Sequence, residues 1–594
     1  MHTRKVTLSD ILSSQRQHII PVFQRPYSWT KKNWEELWSD IQSLVNEGDN
    51  SPEHFLGPMI IDRGDTGSYV PEKYLVIDGQ QRLVTLSVLL CALRDIARKH
   101  EIEHFASSVE EFLAFKTTEG KPERRLLPRS ADRSAFEKII DGSSTALENK
   151  QPIVKAYRFF LTRVRAELRT GERETFAYLN DLFTVIVARL KFVSITLEDS
   201  DDPTKIYESM NFKGKVLLVA DLIRNYVLMH LPNGDNQDAF FNEEWEPFEK
   251  LFTDNDRDQP DSKELEDFYY RYLIAQRDYF AKRLVYSKYK DHLKDFLEDT
   301  KSKEKNTEAT EAKSDSLRRL LDDQKRYATY YLRIIHPHRE NDQELKAAFE
   351  RFGYLDARTA TPLLMSLYAR YDNDADTGHI SKRTFLKMTN AMESFIIRRS
   401  VLRLRTRGYG LDFAQAVRKS ESLQGLWDHF DGRDWPEDST IEETLVEFPL
   451  YLRERKKARL ILEQLENSFG HKEQVDLSDP DKIQIEHILP QKKELSPEWK
   501  EMLGEDAFKI HERYRDTLGN LTLTGYNQEL GAKSFPEKKK EYAKHGSGSH
   551  LELNTYVLAQ DQWTVEEIRE RAKLLGERVI QIWPRPDKPQ QTES

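Results

Sequence analysis

A multidomain α+β protein, mostly helical, is what the sequence predicts. Three observations point there. The chain has 594 residues, which at roughly 150 per domain suggests three or four domains. Strand-like runs lie towards both ends, and a long stretch of helical periodicity lies between them. The charged share is 32% against a hydrophobic share of 38%, the balance of a polar globular chain rather than of a fibre or a disordered chain.

Taken in order, residues 1–230 mix strand and helix. KYLVID (73–78) reads as a short buried strand, followed by a DG turn. A helix then runs over 81–99 with Leu83, Leu86, Leu90 and Leu93 on one stripe. VIVARLKFVSITL (185–197), rich in β-branched residues, reads as one or two strands. Helical spacing returns over 221–229. Residues 231–440 read as a helical connector, except for 299–316, where no apolar residue exceeds Ala and a solvated loop or frayed helix end is expected. Residues 441–580 open with a helix (451–469), then strand-like IQIEHIL (483–489) and NLTLT (520–524). Residues 581–594 read as a disordered tail.

Composition excludes several classes. Lys plus Arg is 91 and Asp plus Glu is 101, a net charge of −10, so the chain is no general polycation. A basic groove on part of the surface could still meet nucleic acid. One cysteine, Cys91, excludes a disulfide framework and a zinc site built on several thiolates. The opening MHTRKVTLSD lacks the apolar stretch of a signal peptide. The longest charge-free apolar run, 83–93, is too short for about 30 Å of hydrocarbon. A cytoplasmic protein with no membrane partner is expected.

Two constellations carry chemistry. In the first, IPVFQRPYSW (20–29) brings Gln24, Arg25, Tyr27 and Trp29. VIDGQQR (76–82) sets Asp78 and Gly79 at a strand end, with Gln80, Gln81 and Arg82 opening a helix. Free N–H groups and the positive helix end attract phosphate, Gly79 permits close backbone approach, and Arg82 can fork onto phosphate oxygens. Asp78 would repel a bare phosphate, so it needs a metal bridge or serves as an N-cap. Asn211 and Gly214 make a polar turn, with Asp221, Arg224 and Asn225 on the next helix. No GxxxxGK[ST] is present, so a nucleotide site would not be a P-loop.

The second constellation is sharper. IEHILPQ (485–491) puts His487 at a strand end beside Glu486, and LGNLTLTGYNQELGAKSFPEKKKEY (518–542) follows. A strand bearing His, a second strand, then an Asn entering a helix is the order of a ββα-metal nuclease. His487 would deprotonate water, since its titration range suits neutral pH. Asn527, with Glu486, would offer hard oxygen ligands for Mg²⁺ or Mn²⁺, and the ion would polarise the phosphate. Asn520 would hold the local geometry through amide hydrogen bonds.

IPVFQRPYSW, VIDGQQR, FKGKVLLVADLIRN, IEHILPQ and LGNLTLTGYNQELGAKSFPEKK together resemble the GmrSD family of modification-dependent (type IV) restriction systems. The blocks keep the family's order over most of the chain, with a looser match at 394–408. The resemblance implies a ParB/sulfiredoxin-like N-terminal domain that handles an NTP, ATP, GTP or another. Asp78, Gly79, Gln80, Gln81 and Arg82 match its motif, and Gln24, Arg25, Asn211 and Arg224 join them. It implies a C-terminal His-Me finger (HNH-like) nuclease domain with His487 as base, Asn520 as the structuring Asn and Asn527 on the metal side. Glu486 stands where many such enzymes carry Asp. The implied partner is double-stranded DNA, specifically modified phage DNA, and a homodimer is admissible.

Other signals are weaker. HEIEH (100–104) fits the HExxH zinc pattern, but it follows a helix end and lacks a third ligand. The arginines at 398, 399, 403, 405 and 407 read either as a solvated face or as a contact to DNA phosphates. Trp29, Trp34 and Trp38 read as core rather than as a base-stacking platform, although a pocket for a flipped modified base would need such aromatics. The expected function is a metal-dependent DNA endonuclease gated by NTP. The alternatives are a non-cleaving ParB-like DNA-binding regulator and an NTP-switched effector acting on RNA or a protein partner.

Overall fold

The structure is a computed structural model. It describes residues 2–585 apart from 13–14, 23, 48–53, 64–71, 118–119, 121, 144–150, 171–172, 198–217, 232–234, 254–259, 304–308, 373–378, 471–482, 525–529, 532 and 544–550. Asn211, Asn527 and the tail beyond 585 therefore lie outside the described residues. The chain divides into two units, 1–266 with 286–321, and 267–285 with 322–594. Residues 231–440, read from sequence as one connector, are shared between them.

The first unit is built on a six-stranded mixed sheet. Its strands are β1 (His2–Thr7), β2 (Arg16–Ile19), β3 (His54–Arg63), β4 (Glu72–Asp78), β7 (Leu126–Leu127) and β8 (Leu190–Leu197), in the order β1-β8-β3-β4-β2-β7. A separate small ribbon pairs β5 (Ala114–Lys116) with β6 (Pro122–Arg124). β4 is the strand read from KYLVID, and the helix after it is Gln80–Lys99. That helix is not amphipathic in place: every residue from 83 to 94 is buried. Helices Glu103–Glu110, Ser130–Ile140, Pro152–Thr170 and Thr175–Thr184 all pack on it, so a leucine stripe became the centre of a core. Trp34 and Trp38 join that core and Trp29 packs against it, as the sequence suggested.

The 185–197 run differs from its reading. Val185–Arg189 is a π-helical turn, and only Leu190–Leu197 is strand. A short β-branched run suits either a strand or a buried helical turn, and packing on neighbours decides. Residues 299–316 are also more helical than expected. One helix runs to Lys303 and the next begins at Ala309.

The second unit is helical around one antiparallel hairpin, β9 (Gln484–His487) and β10 (Leu521–Thr524). The helix expected over 451–469 is broken at Glu454 into Leu450–Arg453 and Arg455–Asn467. The Val565–Ile582 helix starts with a capping box, Thr564 with Glu567, which satisfies its first N–H groups. Residues 581–585, expected to begin a disordered tail, instead finish this helix and pack: Trp583 is buried and donates from Nε1 to Glu393 at 3.1 Å. Among the described residues no helix is long and apolar enough to cross a membrane.

Candidate functional site

The hairpin places the first candidate. Across its ladder His487 faces Leu521 and Glu486 faces Thr522. Consecutive strand residues point to opposite faces, so Glu486 and His487 enter different surroundings. His487 lies edge-on to the Tyr451 ring, with centroids 4.6 Å apart, and its Nε2 is 3.2 Å from Asp516 Oδ1. Burial opposes ionisation of Asp516, but hydrogen bonds with His487 and Arg515 outweigh it. They hold the carboxyl below the usual carboxylate range. An ionised Asp516 accepts the Nε2 proton and leaves the Nδ1 lone pair of His487 free to take another.

Glu486 is engaged elsewhere. Lys538, wholly buried on the Phe535–Ala543 helix, donates to Glu486 Oε1 at 2.5 Å and to the His487 carbonyl at 2.6 Å. Burial pushes the Glu486 carboxyl up and the Lys538 ammonium down, and each opposes the other's shift. The carboxylate expected to help hold a metal is therefore occupied by an ammonium, on the strand face away from His487. Among the described residues no group of three or more His, Cys, Asp or Glu could hold an ion. The donors around His487 do not complete a metal site by themselves.

Asn520 is a staple. Its Oδ1 accepts from Leu489 N at 2.7 Å and Trp563 Nε1 at 3.0 Å, and its Nδ2 donates to the carbonyls of Leu489 and Arg515. Arg571 ties the same loop from below, donating to the carbonyls of Gly519, Leu521 and Leu553. Gly519 is required there, since a Cβ would lie 2.0 Å from the Ile568 carbonyl oxygen.

In the first unit the two quoted motifs meet. Gln24 donates to the Ile77 carbonyl and accepts from Gln80 Nε2 at 3.0 Å. Gln81 accepts from Ser28 N and donates to the Pro26 carbonyl. Gly79, not Asp78, is the N-cap: φ is 98°, and no side chain caps the first turn. Arg82 forks onto the carbonyls of Leu56 and Pro58, both at 2.6 Å, with Asp78 at 3.6 Å. Arg224 is buried between Asp221 at 2.5 Å and Glu249 at 2.8 Å, which raise its pKa against the pull of burial. Arg25 is half-buried and has no ion-pair partner among the described residues.

Sequence reasoning missed Asp516, Lys538 and Arg129. Arg129 donates to the Gln24 carbonyl at 3.0 Å, stacks over Phe241 at 4.6 Å, and leaves its buried Nε without a partner. Burial, with nearby Arg224, lowers its pKa to about 10. The HEIEH reading dissolves: the first helix ends at Lys99, Glu101 is left-handed at φ 59°, and the next helix starts at Glu103. His100 and His104 therefore share no helical face. Of the arginine run, Arg403, Arg405 and Arg407 are exposed, as a solvated face requires, whereas Arg398 and Arg399 are buried. Arg398 donates to the carbonyls of Trp583 and Pro436, and Arg399 to those of Arg433, Asp434 and Arg405.

Two family models match the chain, and together they cover more than half of it. That of the GmrSD restriction endonuclease N-terminal domain matches residues 8–228, and that of the GmrSD restriction endonuclease C-terminal domain matches residues 435–578. No curated protein matches the chain. Gln24, Arg82, Arg129 and Arg224 fall in the first match, and His487, Asp516 and Asn520 in the second.

Proposed function

The chain belongs to the GmrSD restriction endonuclease family, and from that premise we propose that it hydrolyses DNA phosphodiesters with His487 as general base. Family membership makes it a modification-dependent (type IV) restriction nuclease whose substrate class is DNA. The observation that carries the residue assignment is the buried contact of 3.2 Å between His487 Nε2 and Asp516. Nδ1 takes a proton from water, the water oxygen forms a bond to phosphorus, and the bond from phosphorus to the leaving sugar oxygen breaks. That oxygen gains a proton from solvent. Asp516 fixes the tautomer and stabilises the imidazolium.

Mg²⁺ or Mn²⁺ would polarise the scissile phosphate. Asp516 is the one described carboxylate within bonding distance of His487, and Asn527, which the family resemblance puts on the metal side, would be a further donor. Nucleotide would bind the first unit at the helix start after Gly79, where no side chain caps the first turn, with Gln24, Arg25, Arg129, Asn211 and Arg224 as further contacts. Binding or hydrolysis of NTP would gate cleavage of modified phage DNA.

Digestion decides. Wild type is incubated with glucosylated, methylated, phosphorothioate and plain DNA, and with RNA, with Mg²⁺ or EDTA. His487→Ala should lower cleavage by about 10²–10⁴-fold while nucleotide binding stays intact. EDTA should abolish cleavage, and added Mg²⁺ should restore it. Full activity of His487→Ala would remove the nuclease assignment to this residue. The engagement of Glu486 by Lys538 favours the alternative of a non-cleaving DNA-binding protein, which wild type inert on every DNA would support. Arg129→Ala and Arg82→Ala should weaken ATP or GTP binding, and unchanged affinity would move that site elsewhere.

A further inference from the structure

Away from both motifs, the first turns of the Lys382–Val401 helix wall an open cleft of about 720 Å³. Pockets for small organic ligands run to about 300–1,000 Å³. None of its lining residues falls within 8–228 or 435–578, so the cleft lies outside both family matches.

Its chemistry is an aromatic and apolar wall with cations beside it. Leu386 and Pro584 supply apolar surface, and the half-buried indole of Trp427 lines the cleft from the Leu423–Asp431 helix. Trp34, Trp245, Trp499, Trp563 and Trp583 each place their N–H on a protein acceptor. The Trp427 indole has no hydrogen bond or ring contact with another described residue. Lys382 is neutralised by Asp342 at 2.7 Å and by Glu344, which removes the acid of the cleft from play. Arg383 and Lys387 remain. They are exposed, stand one helical turn apart, and have no ion-pair partner among the described residues. Like charges at that spacing repel, so an anion set between them relieves a local cost.

We propose that this cleft binds an aromatic base carrying a phosphate, with the base against Trp427 and the phosphate on Arg383 and Lys387. A nucleotide of a DNA strand and a free nucleotide share that chemistry. Stacking is tolerant of base identity, and a guanidinium beside an ammonium holds phosphate through charge-assisted hydrogen bonds. The site would act independently of His487.

The test reads binding by fluorescence anisotropy in EDTA at low salt. It uses the full chain carrying His487→Ala and Arg129→Ala, so that the proposed first-unit nucleotide site is weakened and the result does not depend on whether the nuclease assignment holds. The probes are a labelled oligodeoxythymidylate and labelled ATP. Trp427→Ala and the pair Arg383→Glu/Lys387→Glu should each weaken at least one probe by about tenfold. Trp427→Phe should retain binding, and the charge-reversed pair should also flatten the salt dependence. Loss of the oligonucleotide alone identifies a strand as ligand, and loss of ATP identifies a free nucleotide. Should Trp427→Ala lower the melting temperature, Leu386→Trp, which fills the cleft from its wall, and the charge-reversed pair decide. Unchanged affinity for both probes in those variants, or no binding of either probe to the starting protein, overturns the proposal.

Discussion

His487 and Asp516 meet across twenty-eight intervening residues, and each alters what the other can do. Asp516→Asn should keep the packing but lose the charge that favours the imidazolium. Cleavage should fall by about a hundredfold, read as initial rate on modified DNA. Because the Asp516 carboxyl titrates below its usual range, its stabilising contribution is present above the unfolded carboxylate range. It is lost as pH falls through the lower folded value. A second residue, His18, titrates with the same dependence by a different cause. Burial and the charges of Arg16 and Arg125 lower its pKa from 6.5 to about 4. The unfolded chain therefore binds the extra proton first, and stability falls as pH drops from about 6.5 to 4, by about 3 kcal/mol in all. His18→Gln should remove that part of the acid sensitivity, measured as the urea midpoint at pH 7 and pH 5.

At the scale of elements, the hairpin depends on groups that no local pattern announces. Lys538→Met leaves Glu486 buried without a partner and should cost about 3–5 kcal/mol. Adding Glu486→Gln should recover most of the loss, and thermal unfolding reads both. The hairpin carrying His487 and Asn520 was legible because a strand end, a proline and a GNL turn are local in sequence. Asp516, Lys538 and Arg129 were not, because their roles exist only once distant segments meet. The same limit explains the other misreadings. The 185–189 stretch has strand-forming residues, yet it is a helical turn inside a core. Arg398 and Arg399 register in sequence as charge, whereas their use is to satisfy the carbonyls of turns with a planar set of donors.

For the whole molecule, two units with their own cores imply that unfolding is not two-state. Calorimetry should resolve two transitions. Lys538→Met should lower one, and acidification to pH 5 should lower the one that His18→Gln protects. Coincident shifts of both transitions in either experiment would contradict this independence. The 73–78 strand, the 190–197 strand and the two hairpin strands could be read from the chain, while β1, β2, β3 and β7 and the division of 231–440 between units depend on contacts no periodicity encodes. Arg571 adds a consequence in time. Its guanidinium closes the loop carrying Asn520 from a helix that is translated after both strands of the hairpin. A ribosome-bound chain that has not yet extruded residue 571 cannot make the three bonds that hold this turn, so the hairpin reaches its final form only late in synthesis.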